Sequence, residues 1–411
     1  MGPIRRGTRR YVQVNLAFFA AGFVTFITLY DLQPLLPVFA AEFRLHAALG
    51  SLPLSVATCA LAVAMLFAGS ISETVGRKRV MVCSLVITSL LALMTACTHT
   101  FLSLLALRLL QGIALAGLPA IAMAYLSEEI EPSALSSAIG LYISGNAIGG
   151  MTGRIFTATV TQYFSWRIAL GVIGAFCLAL SLYFAKALPP SSNPQRRPFA
   201  VGYLFSSLLR QLKDPGLLCL YGISFFCMGG FVTLYNYITF RLLAAPYSFS
   251  HTAVSCIFLV YLAGSFSSSA IGRQVERYGR SRMLYLCLGT MGAGAMVTLS
   301  GQVAVIVAGI ALFTCGFFGA HTIASSWVAA RARTARAQAA SLYLFSYYLG
   351  SSISGTVGGV FWSSLGWHGV ILLITALLAM ASLLGWRLAG LSEPALAEAG
   401  STVASMEAAR S

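Results

Sequence analysis

Charged side chains are scarce in this sequence of 411 residues. They make up 9% of the chain, and only 11 residues are acidic. A soluble domain carries about 25% charged residues, so too few are present here to cover a water-facing surface. The composition is 58% hydrophobic, in runs about as long as a helix needs to cross the hydrocarbon core. Backbone groups in that core must be satisfied internally, and the runs do not alternate as in a β-barrel, so the sequence predicts transmembrane helices.

The sequence also lacks the motifs of several function classes. It contains no Gly-x-x-x-x-Gly-Lys-Ser/Thr sequence, so direct use of ATP is unsupported. Nearly all of the nine cysteines lie in apolar runs without metal-like or paired spacing, which is typical of small buried hydrophobes. No catalytic constellation is present. We therefore expect no enzyme activity, no cofactor and no metal.

A net charge of +15 raises the question of a nucleic-acid partner. The Lys and Arg residues, however, cluster in alternate short loops between the apolar runs, with no basic stripe carrying exposed aromatics. This is the pattern of the positive-inside rule, and most of the basic residues fall on the side of the N-terminus. We predict that both termini are cytoplasmic, that the membrane is a bacterial inner membrane, and that nucleic acid is not a partner.

The apolar runs predict twelve transmembrane helices, with no cleaved signal peptide because the first run is too long. The predicted spans cover 13–38, 47–71, 80–98, 101–126, 134–160, 166–187, 215–240, 253–271, 283–300, 303–328, 338–362 and 368–390. The longest polar break, 188–214, is rich in proline and polar residues that cannot continue a membrane helix. It divides the chain into an N-terminal six-helix bundle (1–187), a cytoplasmic linker (188–214) and a C-terminal six-helix bundle with a short tail (215–411).

The two halves of the chain repeat one another. The loop Gly69–Arg79 follows span 2 and the loop Gly272–Arg282 follows span 8, and Gly, Glu, Gly, Arg and Arg recur in them at identical spacing. Spans 5 and 11 share a glycine pattern as well: Gly145, Gly150 and Gly153 correspond to Gly350, Gly355 and Gly358. Parallel duplicated halves are a transporter architecture, with the substrate site between them near the midplane.

The motifs resemble those of the major facilitator superfamily across essentially the whole chain. The loop Gly69–Arg79 is similar to that family's signature between helices 2 and 3, except that Thr74 stands where a basic residue is usual. Arg108–Gly112 resembles the R-x-x-Q-G motif that the family links to proton coupling. Gly145–Gly150 resembles its antiporter motif, with Asn146 in place of proline.

Within the superfamily, Gly316–His321 and Ser341–Gly350 resemble the YnfM-like bacterial permeases, a branch grouped with drug and sugar efflux proteins. The resemblance implies an all-α membrane protein of twelve helices in two pseudo-symmetric six-helix bundles. It also implies a secondary transporter that alternates between inward-open and outward-open states, with a small-molecule substrate, protons and the lipid bilayer as partners. We expect a monomer.

Asp31 is the only acidic residue inside a predicted span. An ionisable group in lipid is a functional hypothesis by default. Arg108 and Arg154 lie at a similar depth, each roughly 10 Å from the outer ends of their helices at 1.5 Å per residue. Three such charges can pair. A substrate or gating movement can then change the protonation of Asp31, which is what proton coupling through Asp31 and Arg108 requires. The alternative is a static ion pair between spans 1 and 4.

Polar and aromatic residues within the spans are candidate substrate contacts, since rings offer adaptable surface and amides orient a ligand. They are Gln33, Gln111, Asn146, Arg154, Tyr235, Asn236, Tyr237, His321 and Tyr347. The alternative for each is helix–helix bonding, and for His321 it is a neutral bridging histidine. The glycines Gly112, Gly117, Gly149 and Gly153 are interpreted as close-packing sites rather than phosphate cradles, because no strand precedes them.

The repeated loops suggest a gate on the basic side. In the family, this loop motif forms a charge relay with an acidic residue at the inner end of span 4, here Glu128. The predicted gate residues are Gly69, Glu73, Gly76, Arg77, Glu128, Gly272, Glu276, Gly279 and Arg280. In the second half Arg333 stands in the place of Glu128, so we expect that relay to be wired differently. Solvated loop charges are the alternative.

Two transport functions stay open at this stage. One is proton-coupled efflux of small organic molecules, and the other is uptake or facilitated diffusion of a metabolite. A membrane enzyme or receptor is a third class, but the duplicated loop motif and the lack of a soluble domain argue against it.

Overall fold

A computed structural model describes residues 4–189, 191, 201–332 and 335–408, and its side chains apart from those of 201, 203, 276 and 392–408. Almost all of the described chain is helical. The α-helices are α1 (Arg9–Tyr30), α2 (Leu36–Glu42), α3 (Ala47–Gly50), α4 (Leu52–Val75), α5 (Arg77–Ala96), α6 (Phe101–Leu115), α7 (Pro119–Glu129), α8 (Pro132–Tyr163), α9 (Trp166–Ala187), α10 (Val201–Leu212), α11 (Pro215–Leu243), α12 (His251–Ser255), α13 (Tyr261–Tyr278), α14 (Arg280–Val297), α15 (Val303–Arg331) and α16 (Arg336–Ala408). Short 3₁₀ helices cover Gln33–Leu35 and Cys256–Val260.

Nine helices of the described chain are long and apolar enough to cross a membrane. Two further helices, α8 with 32 residues and α14 with 18, cover predicted spans that carry many small or polar side chains. Within α16 a non-helical backbone at Gly366 separates the last two predicted spans. Each of the twelve predicted spans therefore lies on helical segments, and the prediction of an all-α membrane protein is confirmed.

Proline interrupts two of the predicted spans. The first was predicted as one run over 13–38, but α1 ends at Tyr30 and regular helix resumes only at Leu36. Pro34 has no N–H to donate to the Tyr30 carbonyl, so the helix ladder cannot continue there. The fourth span breaks in the same way before Pro119, which begins α7. The break in span 1 exposes backbone carbonyls that become part of the candidate site.

The repeated loop motif has a structural reason for its second glycine. Gly76 separates α4 from α5 with φ of +105°, and Gly279 separates α13 from α14 with φ of +80°. Both values lie in a region that side chains with a Cβ rarely adopt. The same turn is therefore built in both halves of the sequence, and glycine is needed in each.

Glycines allow α1 and α8 to pack backbone against backbone. A Cβ at Gly145 would overlap the carbonyl of Phe19, and a Cβ at Gly149 would overlap that of Phe23. Gly153 continues this face one turn further on. Dispersion contacts replace the hydrophobic effect as the driving force between helices in lipid, so such close approach is how they associate.

The second half repeats this packing. A Cβ at Gly350 of α16 would overlap the carbonyl of Phe225 of α11. In the same way, a Cβ at Gly145 would overlap the carbonyl of Phe19. Gly112 and Gly117 also face close neighbours, Ala57 and Ser84, so the interpretation of these glycines as packing sites is confirmed.

The contacts divide the chain into two compact units that do not follow the sequence halves. The first unit contains the chain up to Val201 together with Val232–Tyr261 and Ser351–Ile371. The second contains Gly202–Phe231, Leu262–Gly350 and the chain from Leu372 onwards. The first unit thus combines the first six spans with segments of α11 and α16, with α12 and with the second 3₁₀ helix. The division into an N-terminal bundle, a linker and a C-terminal bundle stays a prediction.

The predicted linker, 188–214, contains a helix that the sequence analysis did not foresee. Helix α10 covers Val201–Leu212, directly before α11. Residues 190 and 192–200 of the linker lie outside the described chain. Proline and polar residues concentrate before 201, and the segment after them alternates apolar and polar residues at helical spacing, which was the missed signal.

Replacing Gly149 with valine is expected to destabilise the protein by about 1–3 kcal/mol, because the new side chain would overlap the Phe23 carbonyl. Gly140→Val is a matched control on the same helix, since a Cβ at Gly140 would meet no neighbouring element of the described protein within 4 Å. Thermal unfolding of the purified variants measures the difference. Equal melting temperatures would contradict close packing of α1 on α8.

Candidate functional site

Arg108 is the largest side chain of the described protein that is almost fully buried, with 1% of its surface exposed. It lies on α6 and reaches the end of α1, where Nη1 donates to the Thr28 carbonyl and Nη2 to the Leu29 carbonyl, both at 2.9 Å. Carbonyls in the last turn of a helix lack intrahelical donors and carry partial negative charge. Arg108 therefore caps the broken helix of span 1.

Asp31 is the first residue of this break, directly after α1, and is 2% exposed. Its Oδ1 is 3.4 Å from Arg108 Nη1, a long distance for an ion pair. The same nitrogen donates to Gln111 Oε1 at 2.6 Å, and Gln111 Nε2 donates to the Thr88 carbonyl. Asp31, Arg108 and Gln111 thus form one buried polar cluster. The bonds of Arg108 to the Thr28 and Leu29 carbonyls and to Gln111 do not involve the Asp31 carboxylate.

Arg154 belongs to a different set of contacts. It lies on α8 with 3% exposure, and no carboxylate of the described residues lies within ion-pair distance. Its Nε donates to Gln33 Oε1 at 2.6 Å and its Nη1 to the Gly150 carbonyl at 2.8 Å. Its guanidinium also lies over the Tyr30 ring, 4.2 Å from the centroid. Of the three charges considered from the sequence, two form an ion pair and Arg154 does not.

Gln33 connects this arginine to the second half of the sequence. Its Nε2 donates to Asn236 Oδ1 at 2.8 Å, within the first compact unit. Asn236 is fully buried, as are its neighbours Tyr235 and Tyr237. The Tyr237 hydroxyl donates to the Gly355 carbonyl at 2.6 Å, which joins α11 to α16.

The remaining candidates within the spans lie apart from this chain of bonds. Asn146 packs against Gly22, where a Cβ would overlap its Oδ1. His321 and Tyr347 lie in the second unit with ring centroids 5.0 Å apart. His321 Nδ1 is 2.9 Å from the Tyr343 hydroxyl. The structure brings Gln33, Arg154 and Asn236 together, and groups His321 with Tyr347 separately.

On the basic side, Arg77 Nη2 donates to Glu128 Oε1 at 2.5 Å. The two side chains are 19% and 37% exposed. Glu73 is exposed and makes no ion pair with a described residue. At Gly69 a Cβ would meet nothing within 4 Å, whereas Gly76 forms the turn between α4 and α5.

The corresponding loop in the second half, Gly272–Arg282, does not show the same side-chain contacts. A Cβ at Gly272 would meet nothing within 4 Å, Gly279 forms the turn, and Arg280 is exposed. The side chain of Glu276 lies outside the described residues. Within the second compact unit, an ion pair joins Asp214 Oδ1 to Arg331 Nε at 2.8 Å.

Asp214 was missed by the sequence analysis, although its position carried a signal. Its Oδ1 accepts hydrogen bonds from the backbone N–H groups of Gly216 and Leu217 in the first turn of α11. An Asp before a proline and an apolar run is the usual N-cap pattern. The Arg331 guanidinium lies against Gly216, where a Cβ would overlap it.

A second missed contact joins α4 to α16 within the first unit. The Ser352 hydroxyl donates to the Ser55 carbonyl at 2.6 Å, and the Thr356 hydroxyl donates to the Ser55 hydroxyl at 2.8 Å. Ser and Thr recur throughout the spans, so sequence alone does not single these out. Among the described residues, no three His, Cys, Asp or Glu side chains converge as metal ligands.

Known proteins share both the sequence pattern and the fold. The family model of the Major Facilitator Superfamily matches residues 15–250 and 236–406. A Bacillus subtilis protein named uncharacterized MFS-type transporter YybF is 50% identical over 381 residues, covering 93% of this chain and 94% of its own length. The inner membrane transport protein YnfM of Escherichia coli is 46% identical over 385 residues, covering 94% of this chain and 92% of its own.

Solved structures agree in fold. A point mutant of the nucleoside transporter NupG superposes with a TM-score of 0.74 over 92% of this chain and 100% of its own, at 12% identity. A bacterial homologue of the human lysosomal transporter Spinster, in an inward-facing and occupied conformation, superposes with a TM-score of 0.69. The match covers 93% of this chain and 97% of its own, at 14% identity. These likenesses concern the fold alone. With the family model spanning nearly the whole chain and relatives near half identity, this chain belongs to the Major Facilitator Superfamily and is a membrane transporter of that type.

Proposed function

We propose that the protein exports small organic molecules in exchange for protons, by alternating access, and that Asp31 is the proton-carrying group. The observation that supports this most strongly is the buried carboxylate of Asp31, 3.4 Å from Arg108 at the break of span 1. No other acidic residue lies inside a predicted span. Charged residues at membrane depth are costly, and those that face a bundle interior commonly form proton relays.

Protonation of Asp31 would change the bonding at the break of α1. Deprotonated Asp31 balances the charge of Arg108, whereas protonated Asp31 leaves that charge to the Thr28 and Leu29 carbonyls and Gln111. Because Arg108 lies on α6 and the carbonyls lie on α1, the proton alters how these two helices hold together. A proton-dependent preference between two helix arrangements is what coupling requires.

Two alternatives fit the same observations. Uptake or facilitated diffusion fits the same fold, and nothing in the Asp31 cluster prefers one direction. A static ion pair also fits, because the several hydrogen bonds of Arg108 stabilise the break whether or not Asp31 titrates. Counterflow in sealed vesicles distinguishes export from uptake.

The gate proposal rests on the Arg77–Glu128 pair. It joins the start of α5 to the end of α7, on the side of the membrane where the basic loops lie. We infer that it holds this side together in one state and opens in the other. In keeping with the basic loops, we place both termini in the cytoplasm and the protein in a bacterial inner membrane, as the name of YnfM indicates for that relative. The transporter acts as a monomer.

Asp31→Asn is expected to abolish proton-driven accumulation and to leave downhill exchange intact, because asparagine keeps the size of Asp31 but cannot exchange a proton. Transport in reconstituted vesicles with and without a pH gradient measures this. Glu42→Gln is the matched control, since Glu42 also pairs with an arginine, Arg167, but is partly exposed. Full gradient-driven accumulation by the Asp31 variant would remove this residue from the mechanism.

Substituting Arg77 is expected to slow turnover with little change in apparent substrate affinity, because Arg77 forms the ion pair with Glu128. Glu73 makes no ion pair with a described residue, so its substitution is expected to have a smaller effect. For Arg77→Glu the effect is roughly two- to fivefold, which corresponds to the ~0.5–1 kcal/mol of a partly exposed ion pair. The exchange Arg77→Glu with Glu128→Arg keeps the pair and should restore much of the rate. A large affinity loss at unchanged maximal rate would instead indicate a substrate contact.

Substrates are expected to be neutral, weakly amphipathic or anionic rather than dicationic. The buried charged side chains within the predicted spans are one acid, Asp31, and two arginines, Arg108 and Arg154. The net charge buried at membrane depth is therefore positive. A dication there would meet like charge without a partner. Matched neutral, anionic and dicationic compounds in reconstituted vesicles test this. Preferential transport of the dications would mean that both arginines are sequestered from the pathway.

A further inference from the structure

Arg154 is a buried cation that the proposed coupling step does not use. Asp31 is paired with Arg108, whereas Arg154 has no carboxylate partner among the described residues. It is 3% exposed. A buried charge is expensive unless it is paired and hydrogen-bonded. The position therefore favours a counter-anion that comes from outside the protein.

Its present contacts compensate only part of that cost. Gln33 and the Gly150 carbonyl accept from Nε and Nη1, and Nη2 donates to no described residue. The guanidinium also lies over three rings, Tyr30 at 4.2 Å and Phe258 and Tyr261 at 5.0 Å each. Rings stabilise a desolvated cation, but they do not neutralise it.

A second observation concerns Asn236, on the other side of the same Gln33 amide. Gln33 accepts from Arg154 through Oε1, so its Nε2 must be the donor to Asn236 Oδ1. This fixes Asn236 Nδ2 as a donor, and that atom is buried without a partner in the described protein. Buried donors are normally satisfied. Here a donor without a partner remains.

Gly355 lies directly beside the Asn236 donor. A Cβ at Gly355 would lie 3.1 Å from Asn236 Nδ2, so any side chain at this position would crowd the amide nitrogen. All the residues that form this arrangement belong to the first compact unit. Arg154 and Asn236 both bond to the Gln33 amide, and in the described protein Arg154 Nη2 and Asn236 Nδ2 are donors without an acceptor.

We propose that Arg154 and Asn236 bind the carboxylate of a monoanionic organic substrate. A carboxylate offers two acceptor oxygens, and a charge-assisted bond to arginine is stronger than a neutral one. One negative charge is enough to balance Arg154, because Asp31 already balances Arg108. The rings of Tyr30, Phe258 and Tyr261 suit an aromatic or apolar group next to the carboxylate. The inference rests on the proposed transport function and narrows its substrate class.

The first experiment compares 2-naphthoate with its neutral analogue 2-naphthamide on the purified protein, without any gradient. Binding to the folded state raises the melting temperature in a concentration-dependent way. We expect naphthoate to act at roughly tenfold lower concentration than naphthamide or better, as one charge-assisted bond implies. Arg154→Gln should lose this difference. Arg241→Gln, which removes another arginine lying over rings, should keep it.

A second variant keeps the Arg154 side chain. Gln33→Glu places a carboxylate where Oε1 already accepts from Arg154 at 2.6 Å. Its other oxygen cannot donate to Asn236 Oδ1, so the Asn236 amide rotates and donates to it through Nδ2, which satisfies that donor as well. This internal anion should raise the melting temperature in the absence of naphthoate and abolish the response to it. Gln162→Glu is the matched control, because Gln162 accepts a backbone hydrogen bond from Thr252 at an exposed site. Its response to naphthoate should equal that of the unmodified protein.

An equal response to naphthoate in the unmodified protein, Arg154→Gln and Gln33→Glu would overturn the proposal and make Arg154 a structural bond between α8 and span 1. Asp31→Asn separates this result from the transport proposal. If that variant still accumulates substrate against the gradient while naphthoate binding depends on Arg154, coupling fails and the anion site stands. If Asp31→Asn loses accumulation but naphthoate does not bind the unmodified protein, the coupling proposal stands and the anion site fails.

Discussion

Much of the first unit depends on the guanidinium of Arg108 at the broken end of α1. Pro34 prevents the helix of span 1 from continuing, and the freed carbonyls of Thr28 and Leu29 lie at a depth where lipid offers them no donor. Arg108 satisfies both of them at once. Its remaining charge then requires a partner, and Asp31 supplies it at the same break. A helix defect, a buried cation and a buried acid are therefore one interdependent arrangement rather than three separate features.

The break also directs Gln33 towards the arginine of α8. Gln33 begins the short 3₁₀ helix within the break, and its side-chain amide bonds Arg154 on one side and Asn236 on the other. The glycines of α8 allow α1 to lie close enough for this contact. Backbone packing and the polar chain thus support one another, since each needs the short distance between α1 and α8.

The duplication in the sequence is partly preserved and partly changed in the structure. The turn glycines Gly76 and Gly279 and the packing of Gly145 and Gly350 are equivalent, because backbone geometry leaves no substitute for glycine there. The ion pairs on the basic side are not equivalent: Arg77 pairs with Glu128, and Arg331 pairs with Asp214. Surface ion pairs contribute little individually, so their partners are free to differ between the two halves.

The amino-acid sequence determined the membrane location of the helices, the duplicated halves, the glycine packing and the identity of Asp31 and Arg108 as buried charges. Each of these follows from local chemistry: apolar length, repeated spacing, or a charge within an apolar run. The tertiary structure decided what the sequence could not. The main case is Arg154, which has a similar depth and the same charge as Arg108 but lies beside an amide and three rings instead of the carboxylate. Depth along a helix is readable from residue spacing, but which face meets which neighbour depends on how the helices pack, and that choice separated the two arginines.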